Sequence, residues 1–189
     1  MVRDRSGITI VELILVMSLI GIVTSIAAPS MRSERFRMDG SVLTVASTLS
    51  AQQRNAVMRQ HNIVLAFDTV NGTVRVHYDL DNDNTVDAGE NIKVVEVDDG
   101  AAFGRGSTTA RPMSSSSISL TNTQDGLPAL TFRRNGSASE EAIIYLTSQR
   151  WKAARGSAYP DDGRAVEIER ATGRIRCYSH NTGAWSQTC

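Results

Sequence analysis

Residues 7–28 read GITIVELILVMSLIGIVTSIAA. From Ile8 to Ala28 only Thr9, Glu12, Ser18, Thr24 and Ser25 are polar. At a rise of ~1.5 Å per residue, a helix of that run covers roughly 31 Å, the thickness of a hydrocarbon core. Arg3 and Arg5 precede it. A basic flank stays on the cytoplasmic side, which predicts a single-pass transmembrane helix over 8–28 with the C-terminal bulk outside the cytoplasm. A secretory signal peptide has a shorter apolar region followed by a small-residue cleavage site. A plain anchor has no reason to carry an acid near its start, and Glu12 is such an acid. A carboxylate in an apolar span costs about 2.5–3.5 kcal/mol and needs a partner. The span holds no lysine or arginine, so the partner is a cation supplied from elsewhere.

Working outward, residues 29–61 carry Val42, Val45, Ala46, Leu49, Gln53, Ala56 and Val57 at i, i+3, i+4, i+7 spacing. That predicts an amphipathic helix with one stripe to bury, continuing the first helix into the domain. Gly40 weakens it by about 1 kcal/mol relative to alanine. Arg32, Arg35 and Arg37 are expected as a solvated collar beyond the membrane face.

From residue 62 to 189 the apolar period changes to two, which predicts a β-rich globular domain. Strands are expected in IVLAFD, TVRVHYD, NIKVVEVD, ISLTN, ALTFRRNG, AIIYLTS, AVEIER and GRIRCYS. Asn71-Gly72 and Thr172-Gly173 are hairpin signals. The Ser/Thr/Gly-rich stretch 104–117 is expected to be a mobile surface loop. The fold class is α+β: a long N-terminal transmembrane α-helix whose stripe covers one face of an antiparallel β-sheet, with no further helices.

The 189 residues balance 20 cations against 20 acids, but unevenly. Residues 61–100 set nine acids against Arg75 and Lys93, while residues 131–189 set nine cations against six acids. The two cysteines are Cys177 and Cys189. In an extracytoplasmic domain they suggest a disulfide, contributing about 2.5–3 kcal/mol, with two free thiols as the alternative. His61, His77 and His180 lack zinc-ligand spacing.

Gly7-Ile8-Thr9-Ile10-Val11-Glu12-Leu13 resembles the leader signal of type IV prepilins and type II secretion pseudopilins. The resemblance implies residues 1–7 as a leader peptide, cut between Gly7 and Ile8 by a prepilin peptidase in the inner membrane. It also implies N-methylation of Ile8, and Glu12 meeting the N-terminal amine of a neighbouring pilin subunit during assembly. Pro29 falls where many pilins carry a helix-loosening proline, whereas Ile8 stands where phenylalanine is most usual. The residues 51–57 running into Ile63-Val64-Leu65, the 130–136 turn and the closing Gly173-Arg174-Ile175-Arg176 resemble the GspH/FimT branch of minor pilins and pseudopilins. The implied role is a structural subunit of a type II secretion pseudopilus or type IV pilus.

Two further candidates lie in the domain. In residues 79–90, DLDNDNTVDAGE, oxygen ligands fall at the spacing of a calcium loop: Asp79, Asp81, Asp83, Asp87 and Glu90, with the carbonyl of Thr85. Asn84 replaces the usual glycine, and strands rather than helices flank the loop; the alternative is a solvated acidic hairpin. On a strand, Arg174 and Arg176 share one face about 7 Å apart, a spacing that suits phosphates. In related minor pilins a GRxR motif is associated with DNA binding during natural transformation, so the resemblance implies a DNA-uptake alternative. Arg150, Lys152, Arg155, Arg164 and Arg170 are expected to extend the patch, with Tyr178 and Trp185 stacking on bases. No nucleophile motif or Gly-rich phosphate loop is present, so no catalytic activity is expected.

Overall fold

The computed structural model describes residues 9–83, 89–97, 100–114, 116–154 and 159–189, excepting the side chains of 25–33 and 152–154. The chain divides into two compact units, Met1–Glu34 and Arg35–Cys189. Helix α1 spans Ile10–Arg59 without interruption at Pro29. Thr9 starts it: its hydroxyl oxygen accepts the Glu12 N–H at 3.2 Å. Thr9 and Glu12 stand at capping-box spacing, and an acid in the first turn also complements the helix dipole.

In the first unit, every large apolar side chain from Ile10 to Val23 is exposed, from 47% at Val16 to 78% at Ile10. Among the described residues no helix is long and apolar enough to cross a membrane. The described side chains of the apolar run stop at Thr24; Ile8 and the side chains of residues 25–28, which belong to the expected 8–28 span, lie outside the described set.

In the second unit α1 behaves as its periodicity requires. Met38, Val42, Val45, Ala46, Leu49 and Ala56 are buried on one stripe. Val57, expected on that stripe, is 42% exposed at its edge. The stripe meets two antiparallel sheets. The first holds β1 (Asn62–Asp68), β2 (Thr73–Asp79), β3 (Ile92–Glu96), β5 (Thr123–Gln124) and β6 (Leu127–Phe132), in the order β3-β2-β1-β6-β5. The second holds β4 (Ala101–Phe103), β7 (Ala142–Ser148), β8 (Arg164–Ile168), β9 (Ile175–Asn181) and β10 (Ala184–Gln187), in the order β10-β9-β8-β7-β4.

Two sheets replace the one expected. Each has a strand buried at every residue, β1 and β7. Their sequences are continuous apolar runs rather than alternations, the mark of a strand covered on both faces. Side-chain alternation then sends Ile63, Leu65 and Phe67 of β1, and Ala142, Ile144 and Leu146 of β7, into one core with the helix stripe. Strands β4, β5 and β10 and the short helix α2 (Gln149–Ala154) were not expected. Residues 118–122, expected as a strand, contribute only an isolated bridge from Ile118 to Ile144.

Both hairpin signals hold. Between β1 and β2 the Asp68 carboxylate accepts the N–H groups of Val70 and Asn71 at 3.1 and 2.9 Å. The Asn71 backbone and side-chain bonds, set against a smaller effect of burial, hold its pKa below the ordinary value. Between β8 and β9, Gly173 sits at φ 64°. A Cβ there would lie 2.3 Å from the Gly136 carbonyl oxygen and 2.8 Å from Gln53 Nε2, so glycine is needed for close approach as well as for backbone sign. The Gln53 amide donates to the carbonyls of Gly136 and Thr172 at 3.1 and 2.8 Å. One helical side chain thus ties together the two turns that bear the 130–136 and 173–176 sequences.

Stretch 104–117 is not a free loop over its described residues. Thr108 is buried. Trp185 Nε1 donates to the Thr109 carbonyl at 2.9 Å, the Arg111 N–H to Tyr145 Oη at 2.8 Å, and the Tyr145 hydroxyl to the Ser114 carbonyl at 2.8 Å. It straps the outer face of the second sheet, over Ile143, Tyr145 and Ala165. Its serines and threonines looked like loop composition; their backbone groups are in fact satisfied by aromatic side chains more than thirty residues away in sequence.

Candidate functional site

The residues singled out in the sequence fall in three places. The first is the N-terminal helix, where Glu12 lies in the first turn of an apolar surface that no described part of its own unit covers. Gly7 and Ile8, the expected cleavage and methylation residues, lie outside the described set.

The second is the loop after β2. Asp79 closes the strand and is buried, Asp81 and Asp83 are exposed, and one carboxylate oxygen from each lies within 4.8 Å of the others. Oxygens bound to one calcium at 2.3–2.6 Å are at most about 5 Å apart, so this trio fits a single ion. The loop is pinned at both ends: Asn82 Oδ1 accepts the Asn62 N–H at 2.8 Å, and Glu90 Oε1 accepts the Leu80 N–H at 2.7 Å. Asn82, at φ 66°, and Gly89, at φ 110°, have positive φ in the described part of the loop. Thr85 and Asp87, the other expected ligands, lie outside the described residues. Sequence reasoning dismissed the nearby His77. Its ring is 1% exposed, and neither nitrogen has a hydrogen-bond partner among the described residues. Burial pushes its pKa down, and Arg75 adds to this against the opposing pull of Asp125 and Glu90.

The third is the outer face of the second sheet. The register sets Ile143 beside Glu167 and Glu167 beside Arg176. One step further, Glu169 N–H donates to the Arg174 carbonyl at 2.9 Å. Arg174 and Arg176 therefore share a face, as the alternation predicts, and they line one shallow pocket. Its other walls are Met113, Glu141, Glu167, Ile168 and Glu169. Glu169 stands 3.9 Å from Arg176 and accepts the Thr172 hydroxyl at 3.1 Å. Glu167 accepts from Arg111 at 2.5 Å, and the Arg111 guanidinium lies 3.5 Å over the Tyr178 ring.

Two of the residues expected to extend the basic patch, Arg150 and Arg164, are engaged elsewhere. Arg164 is 3% exposed and faces inward, donating to Asp39 of α1 at 2.7 Å and to the Asp161 and Gly163 carbonyls at 2.9 Å each. Arg150 is bound to buried Asp162 by two bonds of 2.6 Å. Burial raises the pKa of Asp162, but the bonds from Arg150 and Ser148 outweigh it and the net shift is downward. Arg35, expected in the solvated collar, pairs with Asp161 at 2.7 Å. Tyr178 lies under Arg111, and Trp185 packs on His180 and Tyr145 with ring centroids 5.1 and 5.9 Å away. Arg170 is exposed; the side chains of Lys152 and Arg155 lie outside the described residues. Cys177 and Cys189 form a disulfide with a Cα separation of 4.9 Å, which holds β10 and the Thr188 N–H against β9. Alternation could have flagged Arg164 as inward-facing, since it shares parity with Val166 and Ile168. Nothing local could have named Asp39 as its partner.

No known protein family's sequence model matches this chain, and no curated protein matches it. Among solved structures it is similar to the minor pseudopilin EpsH from the type 2 secretion system of Vibrio cholerae. The TM-score is 0.49 at 10% identity, over 76% of this chain and 97% of that one. It is also similar to the type IV minor pilin FimU of Pseudomonas aeruginosa, with a TM-score of 0.49 at 14% identity, over 83% of this chain and 98% of that one.

Proposed function

We propose that this chain is a non-catalytic structural subunit of a filament of the type IV pilus or type II secretion class, inserted in the inner membrane before assembly, with its β domain outside the cytoplasm. The observation that carries this reading is the apolar surface of residues 10–23, left uncovered by its own unit and interrupted by one carboxylate. Contiguous exposed apolar surface on that scale requires lipid or other chains to cover it. A carboxylate within it requires a cation, and cleavage after Gly7 would create one at the Ile8 amine. Lipid serves before assembly, and the helices of neighbouring subunits serve afterwards. Co-expression with a prepilin peptidase tests this: intact mass is expected to show loss of residues 1–7 and gain of one methyl group. Glu12→Ala is expected to be cut normally yet excluded from filaments. An uncut chain beside an active peptidase, or normal incorporation of the variant, overturns the reading.

Calcium in the 79–90 loop is a second, separable proposal, favoured by the convergence of Asp79, Asp81 and Asp83. It predicts a calcium-dependent rise in Tm that Asp81→Ala with Asp83→Ala removes; a wild-type Tm indifferent to calcium overturns it. The DNA-uptake alternative rests on Arg174 and Arg176. It predicts salt-sensitive DNA binding lost in Arg174→Ala with Arg176→Ala, against the repulsion of three glutamates in the same pocket.

A further inference from the structure

The pocket on the outer face of the second sheet is polarised, and its polarity specifies a ligand. Glu141 immediately precedes β7, and Glu167 and Glu169 lie on and just after β8, forming an acidic wall. Arg174 and Arg176, at the start of β9, form a cationic wall beside it. The register makes this a property of the sheet rather than of rotamers, because β7, β8 and β9 are successive neighbours. Strands lie about 4.8 Å apart, so the outer columns of charge are roughly 10 Å apart. Inside the pocket, Glu167 is held by Arg111, and Glu169 by Thr172 and Arg176. The two ends are different: among the described residues neither the Glu141 carboxylate nor the Arg174 guanidinium has a hydrogen bond or ion pair. A polyanion is repelled by three glutamates, and a polycation by two arginines. A ligand with one charge of each sign meets attraction at both ends.

The geometry points to a binding site for an extended peptide segment that carries a cation and a carboxylate two residues apart, the cation over Glu141 and the carboxylate over Arg174. Residues i and i+2 of an extended chain share a face at about 7 Å, and lysine and glutamate side chains reach across the remaining distance. The exposed strap residue Met113 supplies the apolar lining against which the aliphatic stems lie. This site does not depend on the filament reading; a neighbouring subunit is one bearer of such a segment.

The test is a titration of the full-length chain in detergent micelles, ¹⁵N-labelled, with terminally blocked Lys-Ala-Glu tripeptide. Blocked Lys-Ala-Lys, blocked Glu-Ala-Glu and a single-stranded oligonucleotide serve as competitors of one sign. Saturable shifts at residues 141, 167–169 and 174–176 with Lys-Ala-Glu alone are the expected result. Arg174→Glu and Glu141→Lys should each weaken binding about tenfold, the loss of one charged contact. Combining them reverses the polarity and should restore affinity. Absence of shifts, equal or stronger shifts with Lys-Ala-Lys, Glu-Ala-Glu or the oligonucleotide, or failure of the double variant to recover binding would each overturn the proposal.

Discussion

The two halves of α1 share an element and differ in what surrounds them. Residues 10–24 are exposed and, but for Glu12, Ser18 and Thr24, apolar on every side; residues 35–59 carry an apolar stripe that is buried except at Val57. An all-round apolar helix has no preferred direction in which to hide, and among the described residues nothing in its own unit covers it. A striped helix finds its cover within the chain, and here two sheets supply it. Mutations in the first half should therefore leave domain stability alone and change association, and mutations in the second half should do the opposite.

The sharpest way to break the comparison is a matched pair. Leu49 is 1% exposed in the core and Leu15 is 55% exposed. Leu49→Ala should lower unfolding free energy by about 2–5 kcal/mol, read by chemical denaturation in micelles. Leu15→Ala should stay within about 0.5 kcal/mol of wild type in the same assay. Equal losses would mean that the two halves are packed alike.

Next in size is the link between the helix and the turns. Gln53→Ala removes both amide bonds to Gly136 and Thr172. It should cost about 1–3 kcal/mol, since the carbonyl of buried Gly136 loses its donor while that of exposed Thr172 returns to water. No comparable loss should follow Thr24→Ala, whose hydroxyl bonds only carbonyls of its own helix, at Ile20 and Gly21.

Acid should then separate the halves again. Asp162 has a folded pKa below its unfolded value. Its contribution is fully present above the unfolded carboxylate pKa of about 4 and is lost as pH falls through the depressed folded value. Far-ultraviolet signal from the β domain should fall on that acid limb, and Asp162→Asn should flatten it. The smallest effect has the opposite sign. Gly40 lies in the helix with open space where a Cβ would be. Gly40→Ala should stabilise the domain by about 0.5–1 kcal/mol, seen as a rise in Tm.

Much of this molecule was readable without coordinates. Helix existence and length, the change of period at residue 62, and the Asn71-Gly72 and Thr172-Gly173 turns are local, each specified by a handful of adjacent residues. IVLAF and AIIYL are both continuous apolar runs, the mark of strands covered on both faces, but nothing local assigns them to separate sheets. The strap and the arginines were misread because composition and formal charge say what a residue prefers on average. Ser/Thr-rich 104–117 prefers to be loop until Tyr145 and Trp185 bind its backbone. Arg164 prefers water until Asp39, 125 residues earlier, reaches it.

The sequence by itself determined that an apolar helix with one carboxylate leads into a striped helix and a β domain, since periodicity and turn chemistry act over a few residues. Only the tertiary structure decided which charges meet. It paired half-buried Arg150 with Asp162 and buried Arg164 with Asp39, and it set Arg174 and Arg176 against Glu141, Glu167 and Glu169. Electrostatic energy depends on distance through space, and strand pairing sets those distances between residues that are remote along the chain.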